Sequence, residues 1–164
     1  MINSIDIAKL LSGDRRTIAR AVSFVENEEN GSEKFLSEIF KQTGKAYRIG
    51  ITGPPGAGKS TLTNKLALHY RKQNLRVAVI AVDPTSPFTG GALLGDRVRM
   101  SEAESDTGIF IRSMASRGSL GGLSKKTREA ADLFDAAGFD IILFETVGVG
   151  QSELDIAGAA DTTV

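Results

Sequence analysis

The sequence of 164 residues contains no cysteine and only one histidine. The absence of cysteine excludes disulfides and thiolate metal ligands and fits a reducing compartment, so the cytoplasm is the expected location. The single histidine, His69, has no second histidine or cysteine with which to form a metal site. We therefore expect a plain structural or surface role for His69.

Net charge and long apolar runs are lacking as well. The 20 basic residues balance the 20 acidic ones, so no net field favours nucleic acid or an anionic membrane as a partner. The longest apolar run, Val77 to Val82, is far shorter than the roughly 20 residues that span a bilayer. Residues 1–11 lack the basic start and apolar stretch of a signal peptide. These absences predict a soluble globular protein.

Glycine is plentiful, and three of the 18 glycines fall in one short segment that predicts a phosphate-binding loop. Residues 53–60 match the template G-x-x-x-x-G-K-[ST] at every position, between a strand pattern and a helix pattern. Glycines let the backbone N–H groups of such a loop point at phosphate oxygens. Lys59 is expected at the β- and γ-phosphates and the Ser60 hydroxyl at Mg²⁺. The predicted nucleotide-binding residues of this segment are Gly53, Gly56, Ala57, Gly58, Lys59, Ser60 and Thr61.

Two acidic residues follow apolar strand patterns. Asp83 comes after the run from Arg76 to Val82, and Glu145 comes after the run from Asp140 to Phe144. In open α/β sheets ligands bind at the carboxyl ends of the strands, so both acids are expected beside the phosphate loop. Glu145 is expected to hold Mg²⁺ directly or through water, whereas Asp83 is either a second such acid or a turn former before Pro84.

Two further elements are typical of a nucleotide-dependent switch. Gly148 lies three residues after Glu145, where its backbone N–H can bond to a γ-phosphate and be released when that phosphate leaves. Asp96 follows a stretch rich in serine, threonine, glycine and proline, which favours a loop that folds over the nucleotide. Asp96 is alternatively the N-cap of a solvated helix. Arg97 and Arg99 are candidates for a catalytic arginine.

The candidate site is thus assembled from separate parts of the chain. The catalytic candidates are Lys59, Asp83, Asp96 and Glu145. The metal-binding candidates are Ser60, Asp83, Asp96 and Glu145.

Strand patterns near residues 48, 77, 109 and 140 predict the fold class. They indicate an α/β P-loop NTPase with a mostly parallel sheet flanked by helices, and we expect this sheet to lack its last members at the carboxyl end. Residues 48–164 form the predicted P-loop domain, which we expect to be incomplete. Residues 1–47 predict an amino-terminal helical extension, packed on the sheet or serving as a partner-binding surface.

Local patterns refine this picture. In the extension, Ile18, Val22 and Val25 share one predicted apolar face, and Phe35, Leu36, Ile39 and Phe40 share another. Residues 108–112 predict a short strand, residues 113–122 a glycine-rich connection, and residues 124–137 a helix that Gly138 terminates.

Four segments together resemble the methylmalonyl-CoA mutase-associated GTPases of the MeaB/ArgK type. They are residues 53–61, 82–87, 91–97 and 145–153. The resemblance implies a GTPase that uses GTP, GDP and Mg²⁺, and that loads and protects an adenosylcobalamin-dependent mutase. It implies that Lys59 and Ser60 contact phosphate and Mg²⁺, with Asp83, Asp96 and Glu145 around the metal and the attacking water. It also implies that the full-length form is a homodimer.

Guanine specificity rests on the resemblance alone, because the Asn-Lys-x-Asp motif of the family does not occur in this sequence. The alternatives are a P-loop small-molecule kinase of the lysine/arginine/ornithine transport-system type and a non-catalytic nucleotide switch, which would use the same residues. A nickel-insertion GTPase is disfavoured, because it would need a cysteine- or histidine-rich metal motif.

Overall fold

Five parallel strands form the sheet around which the described part of the chain is built. The computed structural model describes residues 5–83, 103, 105–115, 120–146 and 152–164, with the backbone alone at 83, 115, 120–124, 152 and 153. The strands are β1 (Tyr47–Ile51), β2 (Val77–Asp83), β3 (Ile109–Ala115), β4 (Ile141–Thr146) and β5 (Thr162–Thr163). The helices are α1 (Ile7–Leu11), α2 (Arg15–Glu26), α3 (Ser32–Phe40), α4 (Lys59–Lys72), α5 (Leu120–Ala136) and α6 (Ser152–Ala157).

The strand order is β3-β2-β4-β1-β5, so β4 lies between the strand that precedes the phosphate loop and the strand that ends at Asp83. Every residue of β4 is buried. Its burial on both faces explains the continuous apolar run in the sequence, because a central parallel strand is covered by helices on each side. The predicted α/β P-loop fold with a parallel sheet is confirmed.

Helices cover both faces of the sheet. α4 packs on one face against Ile49, Val79 and Leu143, while α2, α3, α5 and α6 share the core of the opposite face. Gly50 permits the close approach of α6 to β1, because a Cβ there would lie 3.0 Å from Cγ2 of Ile156. Among the described residues, no helix combines the length and the apolar character that crossing a membrane requires.

The amino-terminal helices belong to the core on the α5 side of the sheet. Ile18, Val22 and Val25 are buried as predicted. The predicted apolar face of α3 is only partly right, because Phe40, at its last position, is 66% exposed. Asp14 caps α2 by accepting hydrogen bonds from the side chain and the backbone N–H of Thr17, and these two bonds lower the pKa of Asp14.

The predicted glycine-rich connection at 113–122 is wrong at both of its ends. β3 continues through residues 113–115, which pair with residues 81–83 of β2, so the ladder extends the strand beyond the apolar run. α5 already begins at Leu120 and contains Gly121 and Gly122. Burial of the later part of α5 outweighs the low helix propensity of two glycines, which costs about 1 kcal/mol each. Residues 116–119 lie outside the described residues.

A buried carboxylate attaches the start of β1 to α5. Asp135 is 2% exposed and accepts hydrogen bonds from the backbone N–H groups of Gly44, Lys45 and Ala46, at 2.8, 3.1 and 3.1 Å. Arg48 lies 3.5 Å from the same carboxylate and 2.7 Å from that of Asp132. Because the phosphate loop follows β1 directly, this attachment fixes the strand from which the loop departs.

We expect the Asp135→Ala substitution to lower the free energy of unfolding by about 3 kcal/mol, because three backbone donors lose a buried charged acceptor. Asp132→Ala is the matched control on the same helix, since it removes only a half-buried ion pair and should cost less than about 1 kcal/mol. Urea unfolding of both variants measures the difference. Equal losses in the two variants would contradict the role assigned to Asp135.

Candidate nucleotide-binding site

The glycine-rich segment forms a loop between the end of β1 and the start of α4. Gly53, Gly56 and Gly58 adopt positive φ angles of 132°, 78° and 85°. A Cβ at Gly56 or Gly58 would meet nothing within 4 Å, so glycine is required there by the backbone conformation and not by lack of space. The loop thereby turns the chain from β1 into the first turn of a 14-residue helix.

Lys59, at the first position of α4, is held inside this loop. Its side chain is buried, and Nζ donates hydrogen bonds to the carbonyl oxygens of Gly53 and Pro54 at 2.8 and 2.9 Å. The N–H of Ala57 also donates to the Pro54 carbonyl, at 3.2 Å. The ammonium group is thus satisfied by neutral backbone acceptors, and a phosphate group would offer it a charged and stronger acceptor.

Ser60 connects the loop to the centre of the sheet. Its hydroxyl donates a hydrogen bond to Oε1 of Glu145, which is 6% exposed. Glu145 lies opposite Ile51 of β1 on one side and Ala81 of β2 on the other. The side chains of β4 alternate between the faces, so Glu145 shares the α4 face with Ile141 and Leu143. The predicted metal candidates Ser60 and Glu145 are therefore in direct contact.

The other predicted site residues are placed less completely. Asp83 is the last residue of β2 and pairs in register with Ala115; its side chain lies outside what the structure describes. It comes two positions after Ala81, the register partner of Glu145, so its backbone is at the same sheet edge. Thr61 is exposed in the first turn of α4. Asp96 and Gly148 lie outside the described residues, as do Arg97 and Arg99.

Two features of the site were not predicted from the sequence. Thr63 is fully buried and its hydroxyl donates to the carbonyl oxygen of Lys59 at 2.9 Å, which braces the first turn of α4. A threonine four residues after the lysine was the available signal, because threonine in a helix often bonds to the carbonyl at i−4. The hydrogen bonds from Lys59 to the Gly53 and Pro54 carbonyls have no counterpart in the sequence pattern, because backbone acceptors depend on the loop conformation alone.

The donor chemistry of the site fits Mg²⁺. A serine hydroxyl and a glutamate carboxylate are hard oxygen ligands, and Mg²⁺ needs only one or two protein oxygens when phosphates and water complete its shell. Within the described ranges no group of three or more His, Cys, Asp or Glu side chains is placed to hold a metal ion. A site made by this pair alone would therefore depend on the nucleotide for its remaining ligands.

The parallel sheet and the glycine loop that leads into α4 define a P-loop nucleotide-binding protein. The family model described as methylmalonyl Co-A mutase-associated GTPase MeaB matches residues 18–164. The chain belongs to this family.

Individual relatives agree with that assignment. The chain is 58% identical over 158 residues to a Pyrococcus horikoshii protein named "Putative GTPase", covering 96% of this chain and 50% of the relative. It is 43% identical over 169 residues to the GTPase ArgK of Escherichia coli, covering 98% of this chain and 51% of the relative. The chain thus spans about half the length of these two relatives.

A solved structure supports the fold. The crystal structure of a protein named "LAO/AO transport system kinase" matches with a TM-score of 0.79 and 35% sequence identity, covering 96% of this chain and 47% of that one. The similarity therefore extends over almost the whole of the chain, including the amino-terminal helices that precede the phosphate loop.

We expect the Glu145→Gln variant, without nucleotide or metal, to be as stable as the wild type or up to about 1 kcal/mol more stable. The amide oxygen can still accept the Ser60 hydrogen bond, while the desolvation cost of a buried charge disappears. Urea unfolding measures the free energy of unfolding of each variant. Glu145→Ala should be less stable than Glu145→Gln, because it removes the acceptor of the Ser60 hydroxyl and creates a void. A loss above about 1 kcal/mol in Glu145→Gln would mean that the charge itself stabilises the fold.

Proposed function

We propose that this chain is the nucleotide-binding part of a Mg²⁺-dependent GTPase that assists an adenosylcobalamin-dependent methylmalonyl-CoA mutase. The observation that carries the proposal is the direct contact between Ser60, at the end of the phosphate loop, and Glu145, at the end of the central strand. A hydroxyl and a carboxylate meet where a nucleoside triphosphate would present its β- and γ-phosphates.

Ser60 and Glu145 are the described residues proposed to hold the metal, with Asp83 and Asp96 as further candidates. Bound there, Mg²⁺ would neutralise charge that develops on the phosphate oxygens. Glu145 would hold the Ser60 hydroxyl in one orientation, since it already accepts its hydrogen bond. Burial of Glu145 strengthens this electrostatic interaction, because water screens it little.

Lys59 and the loop amides are proposed to bind the phosphates. Lys59 would exchange two neutral carbonyl acceptors for phosphate oxygens, and Ala57 would exchange its bond to the Pro54 carbonyl. The N–H groups of the first turn of α4 add the positive end of the helix dipole. The roles of Asp83, Asp96 and Glu145 in ordering the attacking water, and of Gly148 in sensing the γ-phosphate, remain proposals of the same mechanism.

The Lys59→Ala variant of the full-length protein tests the hydrolytic activity. We expect GTP hydrolysis to fall at least about 100-fold, because the transition-state charge loses a preorganised cation. Lys65→Ala is the matched control, since Lys65 is an exposed lysine on the same helix. Its hydrolysis rate should stay within about twofold of the wild type, because solvent screens an exposed charge. Wild-type turnover by Lys59→Ala would refute the assignment.

Two names among the relatives support the mutase as the partner. The matching family is described as mutase-associated, and a mouse relative 38% identical over 169 residues is named methylmalonic aciduria type A homolog, mitochondrial. If the protein is a GTP-controlled mutase chaperone, its affinity for the mutase should differ between the GTP and GDP states, as coupling between the two sites requires.

Co-purification of the full-length protein with a cobalamin-dependent mutase, in GTP and in GDP, measures this coupling. We expect retention that differs between the two nucleotides, and the Lys59→Ala variant should lose that difference. Retention that is absent, or equal in both nucleotides, would contradict the chaperone proposal.

The protein of the matching crystal structure is named as a transport-system kinase, which keeps the small-molecule kinase as a second candidate. The hydrolysis assay distinguishes the two when lysine, arginine or ornithine is added. Phosphate released into water supports the GTPase, and phosphate transferred to the amino acid supports the kinase.

A further inference from the structure

A cavity lies between α2 and β3, on the face of the sheet opposite to α4. Its volume is about 310 Å³, near the lower limit of small-molecule pockets. One part of its wall is apolar and consists of Ile5, Ala19 and Phe24. The rest includes the side chains of Arg20, Ser23 and Arg112, so two guanidinium groups and a hydroxyl border a space with an apolar side.

Arg112 extends from β3 towards α2. Its Nη2 donates to the Glu26 carboxylate and to the Ser23 hydroxyl, the latter at 3.2 Å. Its Nε is buried, and no hydrogen-bond acceptor lies within reach of it in the described parts of the chain. A buried donor without an acceptor costs about 1 to 3 kcal/mol. An oxyanion that reached Nε after a small shift of the Arg112 side chain would remove that cost.

The remaining polar groups of the wall are available to such an anion. Arg20 is exposed, and no ion pair or hydrogen bond of its side chain is present among the residues that the structure describes. The Ser23 hydroxyl accepts from Arg112, which leaves its own proton for another acceptor. Glu29 also lines the cavity, and its carboxylate repels a nearby anion, so an anion would have to lie closer to the two arginines.

We propose that this cavity binds a small monocarboxylate whose short apolar chain packs on Phe24 and Ala19. A planar carboxylate matches the fork of a guanidinium group, and the apolar side of the wall fits an alkyl chain better than the fully polar surface of a phosphate ion. The cavity is on the opposite side of the sheet from Ser60 and Glu145, so this proposal stands independently of the proposed GTPase activity.

Butanoate is the probe, and its neutral analogue butanamide is the control for shape without charge. Titration of the isotope-labelled full chain, followed by NMR, should show saturable shifts at the Arg112 Nε–H and at the Ser23 amide. Arg20→Gln should weaken butanoate binding at least about tenfold, as expected for loss of a charge-assisted contact. Arg112 is left unchanged in this variant, because its removal would leave Glu26 without its ion pair.

Arg16→Gln is the matched control, because Arg16 is an exposed arginine one turn earlier on α2 and does not line the cavity. It should bind butanoate as the wild type does. Absence of saturable shifts, equal binding of butanamide, or equal losses in Arg16→Gln and Arg20→Gln would overturn the proposal. Binding of inorganic phosphate without binding of butanoate would overturn it as well, since it would show a site for bare oxyanions.

Discussion

The parallel pairing of β4 with β1 is the constraint on which the candidate site depends. The register places Glu145 opposite Ile51, the last residue of β1, so the carboxylate and the phosphate loop leave adjacent strands at the same edge. Ser60 directly follows Lys59 in the first turn of α4, and from there its hydroxyl reaches Glu145. A shift of β4 by one residue would turn Glu145 to the opposite face of the sheet. The site therefore requires the correct register as much as the correct residues.

The site contains buried polar groups that a core optimised for stability would avoid. Lys59 and Glu145 are 9% and 6% exposed, and burying a charged group is costly unless it is paired and hydrogen-bonded. The structure offsets this cost locally: Lys59 is bonded to two loop carbonyls, and Glu145 accepts from Ser60. The partners in these bonds are neutral groups of the loop and of the first turn of α4.

The sequence predicts β2 and β4 well because these strands are largely buried on both faces. Continuous apolar runs that end in an acid indicate both the strand and the end at which the candidate site is expected, as in β2 and β4. That Ser60 and Glu145 lie close together could also be predicted, since residues at the carboxyl ends of parallel strands gather at one edge of the sheet. The pattern fails where contacts between distant parts of the chain determine the structure. Residues 113–115 pair with β2 although Arg112 and Ser113 end the apolar run. Phe40 is exposed although its spacing matches a packed face. Backbone acceptors such as the Pro54 carbonyl have no side-chain signal at all.

The anchoring of β1 links the amino-terminal helices to the site. Asp135 fixes residues 44–46, which connect α3 to β1, and α3 itself packs on α5. α5 leads through Phe139 into β4, so β4 follows this helix in the chain, while the segment before β1 is hydrogen-bonded to it. The chain itself joins α3 to β1, and the three hydrogen bonds to Asp135 hold this connection on α5. The connection from α3 and the helix α5 therefore together hold the start of β1, the strand from which the phosphate loop departs.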